Sequence, residues 1–173
     1  MNKGTVGCGV IVAFASLLMA TWVGSYNRLV DLDEEVDLAW GQLDGAYQQR
    51  ADLVPDLVAA AKAIEGLEQG TWARAVEAHT EVTQINVESA PDAEQLAQFE
   101  AAQGRLSMAL SRVLVVARDP ELEAAEIRIA LERERFNDAT LAYNKTRRRF
   151  PTILLANVAG FGDRPYPEAT PAR

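Results

Sequence analysis

The residue types that most often carry catalysis or metal binding are scarce in this chain. It has one histidine, His79, and one cysteine, Cys8, so it cannot form an intrachain disulfide and has too few ligands for a zinc cluster. Its acidic residues are numerous, but a ferritin-like di-metal site takes a Glu-x-x-His pair from each of two helices. One histidine cannot supply both pairs. The sequence therefore predicts no catalytic residues, no metal site and no cofactor.

Composition favours a helical protein that avoids nucleic acid. Of the 173 residues, 49% are hydrophobic but only 7% are aromatic, and Ala, Leu, Glu, Gln and Arg dominate. This mixture is typical of long helices. The formal net charge is -8, which repels phosphate backbones. We therefore expect an all-α protein with no nucleic-acid partner.

An uncharged run near the N-terminus predicts a membrane anchor. TVGCGVIVAFASLLMATWVG occupies residues 5–24, and about 20 apolar residues suffice to cross a bilayer as a helix. Trp22 and Tyr26 then fall at the interface, where such rings prefer to sit. The apolar core of a cleaved signal peptide, the alternative, is usually shorter, about 7–15 residues. The pattern favours an uncleaved single-pass anchor over residues 1–25.

Basic residues around this run predict its orientation. Lys3 and the amino terminus precede the run, whereas Arg28 alone follows it closely. The positive-inside rule counts Lys and Arg and gives acidic residues little weight. We therefore expect the N-terminus in the cytoplasm and the following domain on the extracytoplasmic side.

Beyond the run, side chains suited to a helix seam recur at alternating steps of three and four, as in helices that pack at a shallow angle. The predicted seam comprises Leu29, Leu32, Val36, Ala39, Leu43, Ala46, Arg50, Leu53, Leu57, Ala60, Ile64 and Leu67. It passes through Pro55 without a change of register, which favours one continuous helix kinked near Pro55. The alternative is a new helix capped by Asp52, with Pro55 in its first turn.

Three further helices are predicted. The glycines in residues 66–70 indicate a break, followed by a second helix at roughly 71–88. Ser89 is predicted to cap a third helix, and Asp119-Pro120 to end it and start a fourth. Short links between amphipathic helices predict an antiparallel bundle of about four long helices over residues 26–150. An apolar segment and a Pro-rich tail then occupy residues 151–173.

Alternating directions bring the end of the fourth helix back toward the membrane. That end is KTRRRF, residues 145–150. Its cations suit a helix C-terminus, where the helix dipole favours positive charge. They could equally contact anionic headgroups, at about 1 kcal/mol per basic residue. The candidate contacts with a membrane or a partner are Lys145, Arg147, Arg148, Arg149 and Phe150. We expect the following apolar segment to pack across the end of the bundle.

Polar residues interrupt the predicted seams of three helices, at Arg50, Gln103 and Glu132. A lone buried charge costs several kcal/mol, so the three are predicted to share one buried layer. Pro55 removes the amide that would bond the carbonyl of Ala51, and the guanidinium of Arg50 is the nearest candidate donor. Asp52 and Pro55 complete this predicted structural set. In the alternative, Arg50 extends outward along its aliphatic stem.

Three ordered segments resemble a known family. They are YNRLVDLDEEVDLAW at 26–40, QRADLVPDLV at 49–58, and residues 122–161, which carry the pairs Phe136-Asn137 and Tyr143-Asn144. They resemble the LemA family of bacterial membrane proteins. The resemblance implies a single anchor in the bacterial inner membrane, a helical bundle and no defined enzymatic activity.

Asparagines follow aromatic residues in these segments, at Asn27, Asn137 and Asn144. Asparagine is a poor helix former, so we expect these side chains to form hydrogen bonds between helices. A partner-binding face is the alternative.

The leading functional hypothesis is a non-enzymatic, membrane-anchored helical scaffold or adaptor that presents a rigid bundle to an unknown protein partner. The alternative is a membrane-organising or lipid-sensing module that acts through the basic cluster and the apolar segment. Either hypothesis leaves homo-oligomerisation open.

Overall fold

The computed structural model describes residues 3–63, 69–85, 87, 89–117 and 119–166, with side-chain surroundings at all of these except 3–12, 14, 18, 69, 71 and 114–117. This part of the chain contains helices and no strand, which confirms the all-α prediction. The five helices are α1 (Lys3–Lys62), α2 (Gln69–Gln84), α3 (Ala93–Ala117), α4 (Pro120–Arg147) and α5 (Thr152–Ala159).

Helix α1 is continuous and contains Pro55, so no new helix begins at Asp52. Up to Arg50 its buried side follows the predicted seam, but beyond that point Val54, Leu57, Val58 and Ala61 are buried and Ala60 is exposed. The strict three–four spacing is wrong there, because an α-helix of 3.6 residues per turn drifts by about 20° per heptad. The last predicted seam positions, Ile64 and Leu67, lie outside the described residues.

Helix α3 begins later than predicted. Asp92 Oδ1 accepts a hydrogen bond from the amide of Gln95 at 2.8 Å, and Gln95 Oε1 accepts one from the amide of Asp92 at 3.1 Å. This reciprocal pair is a capping box, in which a glutamine fills the third helical position. The prediction of Ser89 as the cap is therefore wrong, since Asp92 satisfies the free amides at the start of the helix.

Helix α4 begins where the sequence places it. Asp119 Oδ1 accepts hydrogen bonds from the amides of Glu121 and Leu122 at 2.8 and 3.0 Å, and Pro120 is the first helical residue. Proline is tolerated there because its missing amide would have no partner inside the helix.

The sequence does not predict α5 as a helix. Leu155 and Ala156 bury against the same core cluster as Leu29 and Leu32, and Gly160 ends the helix in the left-handed conformation at φ 83°. Glycine reaches that conformation without steric cost. The apolar segment therefore packs on the bundle by one face, through contacts with α1 and α4.

Helix α1 is the centre of the bundle. Helix α4 runs back along one side of it, and the α2–α3 hairpin covers another. Trp40 joins the two sides, with ring centroids 5.1 Å from Phe99 on α3 and 5.5 Å from Phe136 on α4. Within the described ranges no α-carbon of α3 comes within 8 Å of one in α4. The helical-bundle prediction is confirmed, but α3 and α4 meet only through side chains.

No helix in the described part of the chain is both long enough and apolar enough to cross a membrane. The predicted anchor, residues 5–24, falls partly on residues whose side chains lie outside the described set.

Candidate functional site

The side chain of Arg50 connects three helices in the bundle interior. It projects from α1 and is only 1% exposed. One terminal nitrogen donates to Gln103 Oε1 on α3 at 2.5 Å, and the other donates to Ser107 Oγ on α3 at 2.5 Å and to Glu126 Oε1 on α4 at 2.9 Å. The guanidinium therefore links α3 and α4 at a level where their backbones stay apart.

The charge of Arg50 is compensated from two directions. The side chain of Glu126 is 38% exposed, so this carboxylate stays partly hydrated while it neutralises a buried cation. The guanidinium carbon of Arg50 also lies 5.3 Å from the centre of the Tyr47 ring, within cation–π range. The resulting polar layer contains a guanidinium, an amide, a hydroxyl and a carboxylate.

A second arginine repeats the arrangement from the opposite helix. Arg133 on α4 donates to the hydroxyl of Tyr47 on α1 at 2.6 Å and lies 3.5 Å from Glu100 on α3. Burial raises the pKa of Tyr47, while the charge and hydrogen bond of Arg133 act in the opposite direction. Tyr47 thus lies between Arg50 and Arg133. Together these side chains make a polar seam between α3 and α4, formed by Tyr47, Arg50, Glu100, Gln103, Ser107, Glu126 and Arg133.

The structure brings together part of the predicted polar layer. Arg50 and Gln103 meet, but Glu132 is buried elsewhere on α4 and pairs with Arg135 at 2.9 Å. Asp52 and Pro55 are exposed, and no hydrogen bond described for Arg50 goes to the carbonyl of Ala51.

Sequence reasoning missed Glu126 and Ser107 as the other partners of Arg50. Each lies one position beyond a buried apolar residue of its helix, Ala125 and Leu106 respectively. A long arginine side chain reaches the flank of a neighbouring helix as readily as its centre, so a strict seam excludes such partners. Searching the positions that flank each seam for acidic residues would have found Glu126.

The residues after α5 form a second site, at the bundle end where α1 enters and α4 leaves. We call residues 161–164 the C-terminal strap. Asn144 donates to the carbonyl of Arg164 at 2.7 Å and accepts from its amide at 3.0 Å, and the Tyr143 hydroxyl donates to the carbonyl of Gly162 at 2.9 Å. The aromatic–asparagine pair at the end of α4 therefore holds the strap.

Ion pairs hold the same strap to α1. Arg164 donates to Asp33 at 2.8 Å and lies 3.6 Å from Asp37, so one strap residue reaches both acids. The hydrogen bond to Asp33 is the main reason that the pKa of Arg164 is raised. The contact ties the last described segment to the first turns of α1 in the bundle.

The other two motif asparagines lie in different surroundings. Asn27 is exposed. Asn137 is half-buried, and its Oδ1 is buried with no hydrogen-bond partner among the described residues. Among the three, only Asn144 makes the kind of side-chain bond that the sequence suggested, and its partner is the strap rather than a neighbouring long helix.

The basic cluster divides into bound and free cations. Arg147 donates to the carbonyl of Phe161 at 2.7 Å and to Asp163 at 2.9 Å, and Arg148 pairs with Asp163 at 3.2 Å. Lys145 and Arg149 are exposed and make no side-chain hydrogen bond or ion pair within the described part of the chain. Asp163 therefore pairs with the two middle cations, Arg147 and Arg148, so the cluster is not the single free surface that the sequence predicts.

His79 is partly exposed on α2. In the part of the chain that the structure describes, no three His, Cys, Asp or Glu side chains are grouped so that they could hold a metal ion.

This geometry defines a class of protein: a helical bundle whose helices are connected by polar contacts of Arg50 and Arg133. The family model described as LemA family matches residues 39–173, so the chain belongs to that family. The match includes two of the segments that suggested the resemblance, 49–58 and 122–161, and only the end of the third. No curated protein matches the chain.

Proposed function

We propose that this LemA-family protein is a non-enzymatic scaffold, anchored by residues 5–24 in the bacterial inner membrane, with its bundle on the extracytoplasmic side. One observation carries the proposal. The uncharged run belongs to the same continuous helix, α1, that forms the centre of the bundle. With no loop between them, an anchor and a bundle joined in this way move as one body.

The bundle itself is suited to present a fixed surface. Arg50 and Arg133 each connect all three of α1, α3 and α4, and the strap ties the segment after α5 to α1 and α4. Buried polar contacts of this kind specify one arrangement of helices, since any other leaves a charge unpaired. A scaffold needs this property more than it needs a cleft.

Membrane extraction tests the anchor. We expect the full chain to stay in the membrane fraction through an alkaline carbonate wash. Replacing Leu17 and Leu18 by arginine should release it, because charge at the centre of a span costs roughly 2.5–3.5 kcal/mol per residue. The matched control is Leu38→Arg, at a solvent-exposed position in the part of α1 that belongs to the bundle, which should leave the chain in the membrane.

In-membrane crosslinking tests the scaffold role. We expect the chain to crosslink to the same defined partner protein in repeated preparations, and Arg50→Ala to weaken that product while the chain remains in the membrane. Reproducible hydrolase or transferase turnover by the purified protein, abolished by substitution of its own residues, would show that the role is enzymatic instead.

A further inference from the structure

One face of α5 is apolar and uncovered. Phe150 is 81% exposed, Leu154 52% and Val158 79%. Leu154 and Val158 lie four residues apart on α5, Phe150 lies two residues before the helix, and Leu155 and Ala156 face the core. We call Phe150, Leu154 and Val158 the α5 face. Large apolar side chains grouped at a surface mark a contact with another molecule or with a membrane.

The C-terminal end of α5 leads to the level where the proposed anchor ends. Phe161, directly after α5, packs edge-on against Tyr26, with ring centroids 5.8 Å apart. Tyr26 follows Gly24, the last residue of the uncharged run, by only two positions, or about 3 Å along a helix axis. The headgroup layer on each side of the hydrocarbon is several ångströms thick, roughly 5–7 Å. Residues packed on Tyr26 would therefore lie within that layer.

Two unpaired cations precede this face in the chain, Arg149 directly before Phe150 and Lys145 four residues earlier. Lys145 and Arg149 are exposed, and within the described residues their side chains have no hydrogen-bond or ion-pair partner. This pairing of exposed cations with an apolar face contrasts with a chain whose net charge is -8. Anionic headgroups would neutralise both cations, each at a gain that falls off within a Debye length of the surface. A second copy of the chain, packed symmetrically on this face, would place its own Lys145 and Arg149 against these two cations, and the like charges would repel each other.

We propose that the α5 face docks on the surface of an anionic bilayer, beside the point where α1 enters it, with Lys145 and Arg149 on the headgroup phosphates. The proposal rests on the anchor proposed above and adds a second membrane contact to it. A helix held at one point can tilt or rotate, whereas two contacts on different helices fix the orientation of the bundle over the membrane.

Site-directed fluorescence in vesicles tests the proposal. The full chain, in a Cys8→Ser background, carries one environment-sensitive label at Leu154→Cys or, as the control, at Met108→Cys, which is 66% exposed on α3. Each protein is reconstituted in phosphatidylcholine vesicles with and without phosphatidylglycerol. We expect the emission of the label at 154 to shift to shorter wavelength and to be quenched by lipids that carry a nitroxide near the headgroup. The label at 108 should show neither effect.

Charge variants identify the headgroup contribution. Lys145→Gln/Arg149→Gln should reduce the extra quenching that phosphatidylglycerol gives at position 154. Arg74→Gln/Arg112→Gln removes the same charge from exposed sites on α2 and α3 and should leave the quenching unchanged.

The outcomes separate this inference from the anchor. If the chain resists a carbonate wash but the label at 154 behaves like the label at 108, the docking proposal is overturned and the anchor stands. If the wash removes the chain, the anchor fails and the docking fails with it. If the quenching at 154 disappears on dilution of protein in lipid, another copy covers the α5 face and the bilayer proposal is overturned.

Discussion

Arg50 on α1 and Glu126 on α4 form an ion pair of 2.9 Å in which only the arginine is fully buried. The Arg50 side chain is 1% exposed and that of Glu126 is 38% exposed. Water can therefore replace the arginine beside Glu126, but nothing outside the bundle can replace the partners of Arg50. The two residues should respond differently to substitution, although they belong to the same pair.

Loss of Arg50 should destabilise the bundle. Arg50→Ala removes bonds to two helices, leaves a cavity and leaves the buried side chain of Gln103 without its partner, and an unsatisfied buried polar group costs about 1–3 kcal/mol before the cavity is counted. Glu126→Gln keeps an acceptor and should cost less. Chemical denaturation of the full chain in detergent measures both. Arg105→Ala breaks an exposed pair with Glu81 and should change little. Equal losses for Arg50→Ala and Arg105→Ala would contradict the buried layer.

Asn144→Asp should release the strap. In the native protein the side-chain amide of Asn144 donates to the Arg164 carbonyl at 2.7 Å. The substitution keeps an acceptor for the backbone amide of Arg164 but places a carboxylate oxygen against that carbonyl. Leaving the Arg164 carbonyl without its hydrogen-bond donor costs about 1–3 kcal/mol. We expect faster hydrogen exchange at the Arg164 amide, with little change in the core helices. Asn27→Asp, on an exposed asparagine, is the matched control. Unchanged exchange at Arg164 would show that Asn144 does not hold the strap.

The strap should weaken in acid. The hydrogen bond from Arg148, with the nearby charges of Arg147 and Arg148, holds the pKa of Asp163 below its ordinary 3.8, although burial acts in the opposite direction. A depressed pKa means that the contact is fully stabilising above the ordinary value of 3.8 that applies to the unfolded chain, and is lost as the pH falls through the pKa of the folded state. An NMR titration of the Asp163 carboxyl should give a low midpoint, and Arg148→Ala should raise it. The same midpoint in both proteins would remove Arg148 as the cause.

Pro55 should be a net cost to the stability of α1. Proline in a helix interior removes one hydrogen bond and costs about 3 kcal/mol, and no described bond from Arg50 compensates the Ala51 carbonyl. Pro55 is exposed, so Pro55→Ala creates no cavity in the core and should raise the denaturation midpoint. Asp56→Ala, at the next exposed position, should have a much smaller effect. A lower midpoint for Pro55→Ala would mean that the packing of Val54 and Leu57 requires the geometry imposed by the proline.

The sequence predicts the helices better than it predicts their side-chain partners. Periodicity and the Asp119-Pro120 signal predict α4 correctly, because local preferences and helix caps act within a few residues. The sequence places the cap of α3 wrongly at Ser89 because several nearby residues could serve as the cap, and only the bonds between Asp92 and Gln95 decide among them. A short helix such as α5 has too few turns for its apolar residues to show a clear helical period.

The polar seam depends on relations that one sequence does not contain. Glu126 and Glu132 lie six positions, or about 9 Å, apart along α4, so which of them meets Arg50 depends on how far α4 is shifted along α1 and on its rotation about its own axis. The binding of Arg147 and Arg148 by Asp163 likewise depends on the chain reversing after α5. Both relations come from tertiary packing. The sequence therefore predicts the basic cluster as one surface, whereas in the fold Arg147 and Arg148 are bound and Lys145 and Arg149 are exposed.

The continuity of α1 is the central claim, and a distance measurement in vesicles tests it most directly. Spin labels at Leu17→Cys and Leu38→Cys, in a Cys8→Ser background, are separated by 21 residues, or about 31 Å in an unbroken helix. A pair at positions 38 and 52, inside the bundle, should give about 21 Å and serves as the control. We expect one narrow distribution near each value. A broad or much shorter distribution for the first pair, with a narrow one for the control, would show that anchor and bundle move separately.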